Sequence, residues 1–156
     1  MIVTGIDPGL ARLGYGVCRV DRGVIAPLCY GCIETPAGTR PGERLVEIYT
    51  SLQSLFERYP PDALAMEKLF FSKNTTSAMG VSEVRGVVLL AAEQRKIPVT
   101  EYTPNQIKLA ITGSGRADKA QMQQMITRLL HLDEIPTPDD AADGLSIALC
   151  HIHVMR

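Results

Sequence analysis

The sequence predicts an α/β fold, a mixed five-stranded sheet flanked by helices. Three observations predict it. The first 34 residues read as strand-type segments joined by turn residues. The apolar period then lengthens from two to about 3.6 residues. Each later strand-type segment is followed by a helical one. A run of three strands makes an antiparallel meander, whereas strand–helix–strand order makes crossovers and parallel pairs, so one sheet holds both kinds of pairing.

Ile2 to Asp7 (IVTGID) is the first strand. Alternation puts Ile2, Thr4 and Ile6 on one face and Val3, Gly5 and Asp7 on the other. Gly14 to Val20 and Gly23 to Glu34 are the next two strands, with Asp21-Arg22-Gly23 as the hairpin turn. A loop, TPAGTRPG, leads to Pro41, which opens a helix carrying Leu45, Ile48, Tyr49, Leu52, Leu55 and Phe56 at helical spacing. Tyr59-Pro60-Pro61 stops it. Asp62 to Lys68 (DALAMEK) is the fourth strand, with Ala63, Ala65 and Glu67 on one face.

A polar loop from Ser72 to Thr76 precedes a helix from Ser77 to about Arg95. Its stretch Val87 to Ala92 is apolar all round, so it is expected to be buried on every side, against its own sheet and against a second subunit. Ile97 to Tyr102 is the fifth strand, and Thr103-Pro104 caps a helix to about Ile111. Gly113-Ser114-Gly115 is a flexible joint. Met122, Met125, Ile126, Leu129 and Leu130 mark a further helix, and Pro136 with Pro138 separates it from the last, Asp140 to about His153. No repeat or interdomain linker interrupts the 156 residues, so a single domain is expected. This element order resembles that of the ribonuclease H-like fold.

With 46% hydrophobic and 21% charged residues, the chain has the composition of a globular domain with a sizeable core. It contains neither a membrane-length apolar run nor a secretory leader pattern, so a cytoplasmic location is expected. Of Cys18, Cys29, Cys32 and Cys150, three lie in apolar segments, and none is assigned to a disulfide. The Cys29-Tyr-Gly-Cys32 spacing lacks the second pair that a zinc site needs. A net charge of −1 argues against a nucleic-acid partner unless the acids are gathered in one place.

The pattern of acids meets that condition. Asp7 and Glu67 each end a strand, on faces that also carry the small residues Gly5, Ala63 and Ala65. Asp140 and Asp143 stand three residues apart in the first turn of the last helix, among Ala141, Ala142 and Gly144. Small residues on both sides let the helix approach the sheet, and four carboxylates then converge. Their mutual repulsion exceeds what a helix N-terminus offsets, about half a charge. Divalent cations with oxygen ligands, Mg2+ or Mn2+, remove it, and two such ions about 4 Å apart suit phosphodiester cleavage.

The segments GIDPG with Gly14 and Gly16, MEKLFFSKNTTSA, GSGRADK and DAADGLSIAL occur in an order that resembles the RuvC family of Holliday junction resolvases across nearly the whole chain. The resemblance implies a ribonuclease H-like homodimer with two divalent metals per subunit. It further implies an endonuclease that resolves four-way junctions by paired symmetric nicks in homologous recombination and DNA repair. Asp7, Glu67, Asp140 and Asp143 fall on the family's metal-binding carboxylates; some members have histidine at the third position, where this chain has Asp140. Lys108 and Lys119 match basic residues that neutralise scissile-phosphate charge. Phe70 matches an aromatic that stacks on or wedges between junction bases, and its neighbour Phe71 points the opposite way in an extended segment.

Lys73, Asn74 and Ser77 match the loop that lines the family's DNA cleft. Arg12, Lys68, Arg85 and Arg116 flank the carboxylates and are expected on the DNA-binding surface. With the four acids offset by metal, the net charge of −1 becomes +3 for the remainder, so the charge argument against DNA loses its force. The resemblance also implies work beside the RuvA and RuvB branch-migration proteins. His151 and His153 read as structural or solvated. Alternative readings are a YqgF-type nuclease acting on RNA, one lobe of an actin-like ATPase, and a non-catalytic junction-binding module; the last has no use for four unneutralised carboxylates.

Overall fold

A computed structural model describes residues 1–69 and 75–155. The chain runs through β1 (Ile2–Asp7), β2 (Arg12–Asp21), β3 (Val24–Glu34), α1 (Pro41–Arg58), β4 (Ala63–Glu67), α2 (Thr75–Gln94), β5 (Val99–Tyr102), α3 (Pro104–Thr112), α4 (Lys119–Leu129) and α5 (Asp139–Val154). The strands form one sheet in the order β3-β2-β1-β4-β5. The meander pairs are antiparallel, whereas β1–β4 and β4–β5 are parallel. The expected mixed sheet is present. In the β2–β3 turn, Arg22 and Gly23 both have positive φ, 48° and 85°, which matches the right-handed twist of the flanking strands.

Alternation sorts the sheet residues between two layers. Ile6, Leu13, Leu64 and Met66 pack with Ile48, Leu52 and Phe56 of α1 and Val84, Val88 and Ala92 of α2. On the opposite face, Val3 and Cys18 meet Leu145, Ala148 and Leu149 of α5 and Ile126 of α4. Ala65 meets Ile107 and Ile147 on the same side. Asp7 and Glu67 share the α5 face because they keep the parity of Val3, Gly5, Ala63 and Ala65.

The approach of α5 is unusually close. A Cβ on Gly5 would stand 2.2 Å from the Gly144 carbonyl oxygen, one on Gly16 would stand 2.5 Å from the Leu145 nitrogen, and one on Gly144 would stand 2.3 Å from the Tyr15 carbonyl carbon. Helix backbone therefore rests directly on strand backbone along β1 and β2. Glycine is required there for lack of room.

Several expected boundaries shift: β2 starts at Arg12 rather than Gly14, and α2 at Thr75 rather than Ser77. The fifth strand starts at Val99, because the Ile97 N–H bonds the Ala92 carbonyl at 3.0 Å to close the turn after Lys96, whose φ is 56°. The last helix starts one residue early, at Asp139. In the single chain Val84, Val88, Ala91 and Ala92 of α2 are buried, whereas Met79, Leu89 and Leu90 are exposed. One sheet covers only one face of a helix. The two histidines of the tail have structural settings. His151 Nδ1 and the Tyr102 hydroxyl are hydrogen-bonded at 2.8 Å in the core, and burial lowers the pKa of His151. The Nδ1 of His153 donates to the Ala110 carbonyl at 3.0 Å. Among the described residues no helix is long and apolar enough to cross a membrane.

The backbone contact makes a specific demand. Gly144→Ala is expected to destabilise the fold by roughly 1–3 kcal/mol through overpacking, read as a lower midpoint in chemical denaturation. An unchanged midpoint would show that α5 does not need this contact.

Candidate metal centre

Each carboxylate is delivered by a separate local cause. Asp7 is the last residue of β1 and pairs in register with Gly14 of β2. Glu67 is the last residue of β4, the parallel neighbour of β1. Asp140 and Asp143 lie in the first turns of α5, where the helix dipole favours negative charge. Carboxylate oxygens of Asp7, Asp140 and Asp143 all lie within 4.8 Å of one another, and Asp7 is hydrogen-bonded to Glu67. The helix and the two strand ends thus bring the four expected residues together.

Their electrostatics register the crowding. Burial, followed by the charges of Glu67, Asp143 and Asp140, pushes the Asp7 pKa from 3.8 up to about 8. Burial likewise raises Glu67 and Asp143. Asp7 and Glu67 are hydrogen-bonded to each other in a desolvated site, which disfavours ionising both side by side. The donor set is all oxygen, clustered and short of positive charge, which fits a hard divalent cation.

A pocket of about 270 Å³ opens on this cluster, lined by Asp7, Glu67, Asp143, Lys108 and Lys119. Capping boxes fix the two helices that carry the lysines. Thr103 Oγ1 accepts from the Gln106 N–H at 3.1 Å while Gln106 Oε1 accepts from the Thr103 N–H at 2.8 Å. Asp118 and Gln121 do the same for α4, with both bonds at 2.8 Å. Lys119 follows directly and pairs with Asp139 at 2.8 Å. A second groove, of about 310 Å³, lies beside the first and is lined by Asp7, Glu67, Lys68 and Ser77. Asp7 and Glu67 sit between the two openings.

The remaining cations are spread around this centre. Arg12 pairs with Asp140 at 3.1 Å and with Glu34 at 3.2 Å. Arg116 is exposed on the α3–α4 connection and lines a separate surface groove with Arg128. Arg85 donates to the Glu67 carbonyl at 3.1 Å and pairs with Glu101, so its guanidinium is engaged within the fold. Phe70, Phe71, Lys73 and Asn74 lie outside the described residues. Sequence reasoning missed Asp139, the partner of Lys119, and Ser146, which lines the pocket one turn beyond Asp143. The Asp139-Asp140 doublet and the i, i+3 spacing of Asp143 and Ser146 were the available signals.

Comparison with known proteins agrees with this geometry. The profile of the RuvC family, described as crossover junction endodeoxyribonuclease RuvC, matches residues 3–151. The crossover junction endodeoxyribonuclease RuvC of Moorella thermoacetica is 49% identical over 97% of this chain and 90% of its own length. That of Pseudothermotoga lettingae is 51% identical over 99% of this chain and 95% of its own. The structure of T. thermophilus RuvC in complex with a Holliday junction substrate superposes with a TM-score of 0.95 at 36% identity, covering 100% of this chain and 95% of that one. The sheet order, the acids gathered beneath α5 and these full-length matches lead to one conclusion: the chain belongs to the RuvC family of crossover junction endodeoxyribonucleases, hydrolases of DNA phosphodiester bonds that resolve Holliday junctions.

Proposed function

We propose that Asp7, Glu67, Asp140 and Asp143 hold two divalent cations, Mg2+ or Mn2+, per subunit and that the chain cuts four-way DNA junctions by paired symmetric nicks. The convergence of half-buried carboxylates beside a pocket walled by Lys108 and Lys119 carries the reading. When bound, such cations supply an activated water and offset charge on the leaving oxygen. The chain's own residues do the rest. Ligation needs both Asp7 and Glu67 ionised, so a cation competes with the protonation that burial favours at Asp7. Lys108 and Lys119 face the same pocket and offset the charge of the scissile phosphate. Arg12 holds Asp140 toward the centre through its 3.1 Å ion pair.

DNA runs across both openings. Lys68 and Ser77 border the second groove, and Arg116 extends the basic border on the α3–α4 side. Lys73 and Asn74 add polar contacts to the junction, and Phe70, with Phe71, supplies an aromatic face for a junction base. Symmetric cutting needs two centres, and the exposed Met79, Leu89 and Leu90 of α2 offer the apolar face for a second copy. The homodimer works in the cytoplasm beside the RuvA and RuvB branch-migration proteins.

Asp7→Asn is expected to lower junction cleavage more than about 100-fold, beyond the loss typical of changes around a metal site, while junction binding persists. Cleavage that survives this change rules out the proposed role, and metal-dependent cutting of RNA in preference to a junction would favour the YqgF-type reading. A second expectation concerns pH. Because the folded pKa of Asp7 lies above its unfolded value, metal-free protein gains a stabilisation that is fully present below about pH 4 and lost as pH rises through about 8. Its melting temperature should fall from pH 5 to pH 8, and Mn2+ should restore more of it at pH 8 than at pH 5; equal metal-induced shifts would argue against cation binding at these acids. Finally, Leu90→Glu should halve the mass measured by light scattering, and an unchanged dimer would move the interface off α2.

A further inference from the structure

One cation lies on the sheet-facing stripe of α2. Ala78, Arg85, Val88 and Ala92 recur at helical spacing on one face, and the three apolar members are buried. The Arg85 side chain is only 15% exposed. A guanidinium stays ionised in such a setting, so it must be paired and hydrogen-bonded. Its two ends find separate partners. Nη1 donates to the main-chain carbonyl of Glu67 at 3.1 Å, and Nη2 pairs with Glu101 Oε1 on β5.

The register explains the bridge. In the parallel β4–β5 pair, Met66 lies opposite Glu101 and Glu67 opposite Tyr102, so Arg85 spans two adjacent strand ends. The ladder closes just beyond, where the Lys68 N–H donates to the Tyr102 carbonyl at 2.7 Å. Glu67 is therefore the last strand residue before the chain leaves the sheet. Its backbone is held from one side by the ladder and from the α2 side by Arg85.

We infer that Arg85 is a positioning residue rather than a DNA contact: with Glu101 as its counter-ion, it fixes the carboxyl end of β4 and so the direction in which Glu67 presents its carboxylate to the metal centre. The inference rests on the metal-binding reading of Glu67. Glu101 is essential to it, because the partner holds the guanidinium in place and absorbs its charge. The two residues act as one device, and the loss of either releases the strand end.

The test uses the full chain with Arg85→Lys, Glu101→Gln and the double variant. Mn2+ affinity is measured by calorimetry, junction affinity in chelator, and kcat and KM on the junction. Lysine keeps the charge but not the two-ended fork. Each single variant is expected to weaken Mn2+ binding and lower kcat by about 10–100-fold, with junction affinity in chelator within about twofold and KM little changed. The double variant should be no worse than the poorer single one, since residues acting as a unit are not additive. Weaker junction binding by Arg85→Lys in chelator would overturn the inference in favour of a DNA contact. So would unchanged Mn2+ affinity in Glu101→Gln, which also carries the test if the Arg85 variant does not fold. Asp7→Asn serves as the control. If it loses Mn2+ binding while the Arg85 and Glu101 variants keep theirs, only this inference fails; if it binds Mn2+ normally, the metal reading falls and this inference with it.

Discussion

Direct backbone contact between α5 and the β1–β2 hairpin is the constraint on which the centre depends. At Gly5, Gly16 and Gly144 even a methyl group would overlap main-chain atoms of the opposing element. Removing side chains from such an interface forfeits apolar burial and the conformational economy of alanine in a helix. In return, Asp140 and Asp143 come within carboxylate distance of Asp7. Helices that pack through ordinary side chains stand too far from a sheet for this. The rest of α5 makes good the lost burial, with Leu145, Ile147, Leu149 and Ile152 in the core.

Placing these acids together conflicts with the folding of the chain. Burial and like charge both penalise ionisation, and Asp7 shows the effect most strongly. The fold meets the conflict from its periphery. Arg12 engages Asp140, Lys119 engages Asp139, and the α5 dipole favours charge in its first turn. None of these cations neutralises Asp7 and Glu67 at the centre. The protein thus leaves a deficit of positive charge at the place where a divalent ion suits the donor set.

The supporting helices are built with different precision from the sheet. Both α3 and α4 start at reciprocal capping boxes, which tie the first turn of each to the residue before it. Lys119 is the first helical residue inside one box, and Lys108 lies in the second turn of the helix that the other box starts. Their positions are consequently set by local hydrogen bonds as well as by packing. On the opposite side of the sheet, α2 buries Val84, Val88 and Ala92 against the core and leaves Leu89 and Leu90 exposed.

Much of this was determined by the sequence itself. Strand alternation placed Asp7 and Glu67 on one face, the i, i+3 spacing placed Asp140 and Asp143 on one side of a helix, and the small residues around them announced close approach. These are local, periodic signals, and local geometry carries them intact into the fold. The Asp118–Gln121 box was equally legible in Asp-Lys-Ala-Gln, though only the Thr103-Pro104 start was read. Tertiary structure alone decided the ion pairs. Arg12 with Asp140, and Arg85 with Glu101 and the Glu67 carbonyl, join residues that are distant in sequence and belong to different elements. A basic residue near a carboxylate motif reads as a DNA contact until its partner is known. Whether a long side chain turns inward or toward solvent depends on which groups the fold leaves within its reach, and no periodicity in the chain records that.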